Sequence, residues 1–514
     1  MFHESWSIPQ VLFPTTIFFI NKINKKMKHN NFIIILVLLI ASLVVVSCNT
    51  TVQEPQLSLS NKTDSIPAGG GTITLLFTCN GSWSIDTTGI GWLHLSRVSG
   101  TSGADTINLK APANNTGISR SVLLQLNSAN SQARRITVLQ VPVIFPSYNT
   151  SPIAPDATGM SSTAMQINAN IKMGYNIWNT MEAPGGEGGW GNPLITQSLI
   201  DTLKKAGFNA IRIPCQYRYS HADTTTMKIN DAWLSRVKEV VQYCINDGMY
   251  VILNDHWDGG WLDCKATGAK LDTIKATQKA IWEQVATKLR DFDEHLMFAS
   301  SNEPNATDMP SSVNLHDYHQ IFINAVRSTG GKNAYRTLVI QAPSTSLDLA
   351  NYFTPDGIPG MPVDKVPNKI IIEYHWYSPP NFCLLTGDAS WGKEWRYWGA
   401  NFHSTDDLTH NSTPDTEEAW MEGTMKLANT LFVAKNIPVL IGEYGVENHA
   451  VGIVGNPTDS ILSLNSRAHF FRYLVQKARA NGVSSFLWAG VINRGTGKID
   501  DKRALDSLRV GAGY

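Results

Sequence analysis

The pattern of apolar and polar positions changes texture twice along the chain. From residue 56 to 143 it consists of short alternating runs at 57–59, 72–77, 82–85, 106–109, 121–126 and 135–141. Gly69-Gly70-Gly71, Asn80-Gly81 and Ser99-Gly100 punctuate these runs as turns. Alternation with period two over such lengths predicts a small all-β, immunoglobulin-like sandwich over 56–145. Residues 146–165 are rich in Pro, Ser, Thr, Ala and Asn without periodicity and read as a linker. From 166 to 514 buried strands alternate with amphipathic helices. Strands are expected at 172–178, 210–214, 250–256, 296–299, 337–342, 369–374, 438–443 and 484–488, with helices at 196–206, 231–247, 273–290 and 315–328. Eight strands with helical crossovers over about 350 residues make an α/β, (β/α)8 barrel.

That fold places chemistry at the carboxyl ends of its strands. Polar groups gather there: Arg212 after strand two, Asn254-Asp255-His256-Trp257-Asp258 after strand three, and Asn302-Glu303-Pro304 after the apolar run of strand four. His375-Trp376-Tyr377 follow strand six, Gly442-Glu443-Tyr444-Gly445 end strand seven, and Trp488 ends strand eight. Glutamates ending strands four and seven face one another across a barrel mouth. Such a pair suits glycoside hydrolysis, one carboxyl protonated and the other ionised. A doubly wound sheet is disfavoured, because no GxGxxG follows any strand. The glycine-rich stretch 178–192 lacks the Lys-Ser/Thr of a phosphate loop.

Composition narrows the partners. With 42 basic and 42 acidic residues the net charge is zero, so nothing advertises nucleic acid. Fifteen tryptophans suit stacking on sugar rings, and equally suit a core. Of the six cysteines, Cys48 stands apart. The other five are odd in number, so at least one is free, and a Cys264–Cys383 bridge has no support beyond being conceivable. Near the start, Met27-Lys28-His29 precede an apolar run from 32 to 46 and then Ser47-Cys48. Met27 reads as a true beginning and 1–47 as a secretory leader. An apolar run of roughly 15 residues is short for a bilayer core of about 30 Å. The residues 45–48 resemble a bacterial lipobox, which implies lipid on Cys48, a tether over 48–55, and a membrane-anchored protein at the outer membrane or cell surface.

The barrel half resembles glycoside hydrolase family 5 of clan A, on the stretches 207–214, 251–256, 301–304, 375–377, 441–445 and 486–488. The resemblance implies a retaining endo-β-1,4-glucanase, or cellulase, with Glu303 as acid/base and Glu443 as nucleophile. It also implies a β-glucan substrate, with xyloglucan and mannan open, and a monomeric catalytic domain without metal or cofactor. Arg212 and Tyr377 would keep Glu443 charged; His256 and His375 would position sugar and acid. Asn302 would bind the sugar 2-hydroxyl and Trp488 would form the stacking floor. His256-Trp257 departs from the His-His of many members, and leaves Trp257 and Trp261 as either a sugar platform or core.

The segment around Trp83, Trp92, Arg120 and 136–140 resembles the BACON domain of secreted glycan enzymes, a binder or a spacer; core packing is the plainer role for both tryptophans. The aromatic insertion 378–400 is expected to wall an open cleft. His316-Asp317-Tyr318-His319 reads as an exposed helix face rather than a metal site, having no third ligand. The competing class is a non-catalytic glycan-binding protein on a dead barrel, disfavoured because both glutamates are present. A metallohydrolase is disfavoured by the missing His-x-His on strand one.

Overall fold

Phe486 fills the base of the barrel because Gly174 on the facing strand has no side chain; a Cβ there would lie 2.4 Å from the ring. Around that contact a computed structural model, which describes residues 56–129 and 131–514, closes eight parallel strands into a barrel. They are β1 (Gly174–Asn176), β2 (Ala210–Ile213), β3 (Tyr250–Asn254), β4 (Leu296–Ala299), β5 (Leu338–Gln341), β6 (Ile370–Trp376), β7 (Val439–Tyr444) and β8 (Val483–Leu487). The leader, Met27, Cys48 and the 48–55 tether lie outside the described residues. Among the described residues no helix is long and apolar enough to cross a membrane.

Helix α1 (Ala164–Asn170) plugs the barrel floor. Its Thr163–Gln166 capping box satisfies the first turn, and Ala164, Ile167 and Ile171 join Ile252, Met297, Leu440 and Phe486 in one buried cluster. A second core lies between the strands and the outer helices: α2 (Gln197–Lys205), α3 (Asp231–Asn246), α4 (Gly268–Leu289), α5 (Met309–Ser328), α6 (Glu418–Leu431), α7 (Pro457–Ala480) and α8 (Lys502–Ala512). Between β5 and β6 a 3-10 segment, Leu347–Phe353, stands where a regular barrel has a helix.

The stretch read as a linker is fastened to the barrel. Ser147 Oγ and the Tyr148 and Asn149 amides donate to the buried Glu283 carboxylate, and Ile153–Pro155 pairs in parallel with Gly330–Gly331. Polarity without periodicity gave no sign of these side-chain anchors or of the short strand.

The smaller β-rich region carries two sheets. One is four-stranded and built on Gly70–Cys79 and Gly103–Pro112; the other is five-stranded and built on Arg120–Ser128 and Ala133–Gln140. Trp83 is a core residue, with its ring edge-on to Phe77 at 4.9 Å and its Nε1 donating to Asp105. Trp92 is half-buried.

One open point is answered and two expectations are corrected. All five described cysteines are buried and free, so Cys264 and Cys383 form no bridge. His319 and Tyr318 are buried rather than exposed: they follow Leu315 by one helical turn and precede Phe322 by another, so the apolar stripe of α5 carries them inward. The aromatic rings of the insertion mostly pack inward against α7, while its Leu384 lines a cavity beside Trp488. Phe382, Tyr397 and Trp398 are fully buried, with Trp398 4.8 Å from Phe470, and only Trp391 is largely exposed.

Candidate active site

Two carboxylates stand at the barrel mouth in unequal surroundings. Glu443, at the end of β7, has a side chain only 7 % exposed; Glu303, just beyond β4, is 52 % exposed. One oxygen of each, together with a ring nitrogen of His375, lies within 4.8 Å of the others. Among the described residues this is the only cluster compact enough to hold a cation. Its charge is already met by protein cations: Arg212 Nη1 donates to Glu443 Oε1 at 2.9 Å, and His375 Nδ1 lies 2.8 Å from Glu303 Oε1 and 3.7 Å from Glu443 Oε2.

Arg212 is fully buried, and its guanidinium is shared between strands. Nη1 also donates to Asn176 Oδ1 on β1, and Nη2 donates to Asn302 Oδ1 at 2.7 Å. A planar five-donor fork can hold several acceptors in fixed directions, so Arg212 orients Glu443 and Asn302 together. Tyr377 Oη donates to the second oxygen of Glu443 at 3.1 Å, and that negative neighbour, added to burial, pushes the phenol well up. His256 is driven well below its ordinary range by burial and then by Arg212 and His375, so it stays neutral. Its ring lies parallel to Trp488 at 5.5 Å, and Trp178 stacks on the same indole at 6.4 Å.

The site thus draws together six of the residues singled out in the sequence besides the two glutamates: Arg212, His256, Asn302, His375, Tyr377 and Trp488. Trp257 sits at the rim, half exposed, with Tyr219 edge-on at 5.3 Å. Trp257 and Asp258 both take positive φ, 49° and 44°, a costly conformation for non-glycine residues. Asp258 compensates by accepting three backbone amides, from Tyr217, Arg218 and Tyr219. Trp261 is half-buried and donates to Asp255.

One residue escaped the sequence reading. Glu373, on β6 two residues before His375, is fully buried yet stays ionised. Burial opposes this, but the Arg212 charge and hydrogen bonds from His375 and Gln341 hold the carboxyl below its usual range. Gly442 makes room for it, since a Cβ there would fall 1.8 Å from Glu373 Oε1. The available signal was a lone carboxylate inside an otherwise apolar strand.

Two cavities open at the barrel mouth. One of about 400 Å3 is lined by Trp178, Asn179, Tyr377, Leu384, Glu447 and Trp488. The other, of about 180 Å3, is lined by Asp255, Trp257, Trp261, Asn302 and Glu303.

Comparison with known proteins agrees with this architecture. The family model described as cellulase (glycosyl hydrolase family 5) matches residues 170–493, and one described as a viral BACON domain matches 51–142. The xyloglucan-specific endo-β-1,4-glucanase of Bacteroides ovatus is 32% identical over 478 residues, covering 86% of this chain and 89% of the relative. The structure of the Bacteroides ovatus xyloglucanase with a XXXG heptasaccharide superposes with a TM-score of 0.65 at 30% identity, covering 89% of this chain and 100% of the other. A xyloglucan-specific β-1,4-glucanase from a ruminal metagenomic library, in complex with XXLG, gives 0.61 at 34% identity, over 68% and 96%. The barrel, its paired glutamates and these matches together place the chain in glycoside hydrolase family 5, as an endoglucanase-type glycosidase with an N-terminal BACON region.

Proposed function

We propose that the protein is a retaining endo-β-1,4-glucanase whose polymer is xyloglucan. The observation that carries the retaining reading is the carboxylate separation. Oxygens of Glu303 and Glu443 lie within 4.8 Å, close to the roughly 5–5.5 Å spacing of retaining pairs and short of the roughly 6.5–9.5 Å that leaves room for an attacking water. Glu443, held by Arg212 and Tyr377, attacks the anomeric carbon. Glu303, open to the cleft, protonates the departing glycosidic oxygen and afterwards takes a proton from the water that releases the glycosyl-enzyme. Asn302 faces the sugar 2-hydroxyl, Trp488 is the floor beneath the sugar, His256 sets its position, and Trp257 extends the platform on the far side.

Xyloglucan is supported by the relatives that are named for it and by the large polar cavity beside Trp178 and Glu447, which has room for a branch on the glucan chain. A linear β-1,4-glucan is the second reading, favoured by relatives described as broad-specificity endoglucanases. Initial rates on xyloglucan, cellulose derivatives, mixed-linkage glucan and mannan separate them, with xyloglucan expected fastest. A preference for an unbranched glucan would overturn the polymer assignment. Proton NMR of the first product should show a retained β-anomer; an α-anomer sinks the double displacement.

The same proposal extends to location. Cleavage before Cys48 and lipidation of its sulfur would anchor the enzyme to a membrane facing glycan. Labelling with a fatty-acid analogue, lost in Cys48→Ala, tests it; an unlabelled, freely released wild type rejects it.

A further inference from the structure

The double displacement uses two carboxylates, yet the barrel mouth holds three. It also requires Glu303 to carry a proton, whereas the hydrogen bond and charge of His375 hold that carboxyl below its ordinary range. We propose that Glu373 is a positioning residue that fixes His375 as the proton store of Glu303, the proton passing between His375 Nδ1 and Glu303 Oε1. This rests on the retaining reading above.

The donor pattern leaves little freedom. The Ser301 amide can only donate, and it meets Gln341 Oε1 at 2.9 Å, so the Gln341 amide nitrogen faces Glu373 Oε2 at 2.7 Å and donates to it. Gln341 is held in turn by α5: His319 Nε2 donates to the Gln341 carbonyl at 3.1 Å. Glu373 Oε1 lies 3.2 Å from His375 Nε2 and 3.0 Å from Arg212 Nε, where the arginine forms a charge pair. With Nε2–H committed to Glu373, Nδ1 has two roles. It accepts from a protonated Glu303 or, protonated, donates to its carboxylate along the same 2.8 Å line.

Charge explains why a proton stays there. His375 is faced by Arg212 from β2, neutral His256 from β3, Glu303 beyond β4 and Glu443 from β7, with Glu373 and Tyr377 from its own strand. Arg212 lies between Glu373 and Glu443 and can offset only one negative charge, so the carboxyl groups around His375 favour a proton on the Glu303–His375 pair. Accordingly His375 is pushed up to about 9 against burial, through Glu443, Glu303 and Glu373, with Arg212 opposing. In the first step the Nδ1 proton moves to Glu303, leaving neutral imidazole. Glu303 passes it to the glycosidic oxygen as the bond to the anomeric carbon breaks and its electron pair stays on that oxygen. In the second step the water oxygen bonds to the anomeric carbon as the ester bond to Glu443 breaks and its electron pair returns to that carboxylate, while Glu303 takes the water proton and returns it to Nδ1.

Glu373→Gln removes the charge and nearly preserves the shape. The alkaline limb of kcat/KM on polysaccharide should move down by about one unit or more, and kcat at pH 8 should fall at least about tenfold with KM little changed. Dinitrophenyl cellobioside, whose leaving group needs no proton, should lose under about threefold in the glycosylation step. Glu373→Asp, which keeps the charge, should keep the limb. Equal losses on both substrates with an unmoved limb would mean that Glu373 only supports Arg212, and would overturn the relay. Should Glu373→Gln fail to fold, nitrogen-15 NMR of the wild type decides: His375 must remain imidazolium beyond pH 8, and a neutral ring at pH 7 rejects the proposal. An inverted product from the wild type would instead remove the retaining reading, a separate outcome.

Discussion

In the β-rich N-terminal region Trp83 is 3 % exposed and clasped by Phe77, whereas at the barrel mouth Trp257 is 50 % exposed on a strained backbone. Titratable groups divide the opposite way. The described N-terminal region buries no carboxylate or histidine, while the barrel mouth gathers Arg212, Glu303, Glu373, His375 and Glu443 within a few ångströms. One region buries its tryptophan to stay folded; the other buries its charges and leaves Trp257 and Glu303 reachable. The contrast teaches that a tryptophan count says nothing about sugar binding until burial is known.

The contrast breaks or sharpens by substitution. Glu443→Gln and Glu303→Gln should each lower kcat by about 10^4-fold on polysaccharide, as loss of a member of a cooperating catalytic unit does, with the melting temperature held. Full activity in either would abolish the distinction between the two regions. Arg212→Met should lower kcat strongly and also cost about 3–5 kcal/mol of stability in denaturant titration, because Glu373 and Glu443 are left buried without their cation. A stable, inactive variant would show that the charges are better hydrated than their burial implies.

Trp257→Ala should raise KM roughly five- to tenfold, the low end of the roughly 1–3 kcal/mol that a ring stacked on an aromatic side chain is worth, scaling with substrate length. Trp83→Ala should do the reverse: cost about 3–5 kcal/mol within its own region and leave kcat/KM on a short soluble substrate unchanged. A loss of affinity for insoluble glycan in Trp83→Ala without unfolding would mark the N-terminal region as a binder after all.

The smallest effect is on pH. The folded pKa of His375 is raised to about 9 from about 6.5, so its contribution to stability is complete below about pH 6.5 and lost as pH rises through 9. Glu303 and Glu373 are lowered, so theirs holds above the ordinary carboxylate pKa and fades as acid takes the pH through their folded values. Calorimetry should therefore show the barrel transition falling between pH 7 and 10, and again in acid. The N-terminal transition should stay flat across the alkaline range.

Much of this was legible in sequence because single strands announce their own ends. Leu296-Met297-Phe298-Ala299 followed by Ser300-Ser301-Asn302-Glu303-Pro304 already locates Glu303, and six of the eight strands carry such an ending. What stayed hidden depends on residues that meet only in space. Glu373 looks misplaced within an apolar strand until Arg212 and Gln341 arrive from β2 and β5. His319 shows the opposite error: its position one turn from Leu315 and Phe322 did carry the inward stripe, and attention to its charge obscured it. The insertion does reach the cleft through Leu384, but composition could not show that its rings face elsewhere, as Trp398 does, sealed against Phe470.

The anchoring of Ser147, Tyr148 and Asn149 on Glu283 has a practical side. Anyone exchanging the N-terminal module for another, or trimming the enzyme for industrial use, should cut upstream of Ser147. A cut at 166 would strip three donors from a buried carboxylate and remove the strand that pairs with Gly330–Gly331. The seam for recombination therefore lies some twenty residues earlier than composition alone would set it.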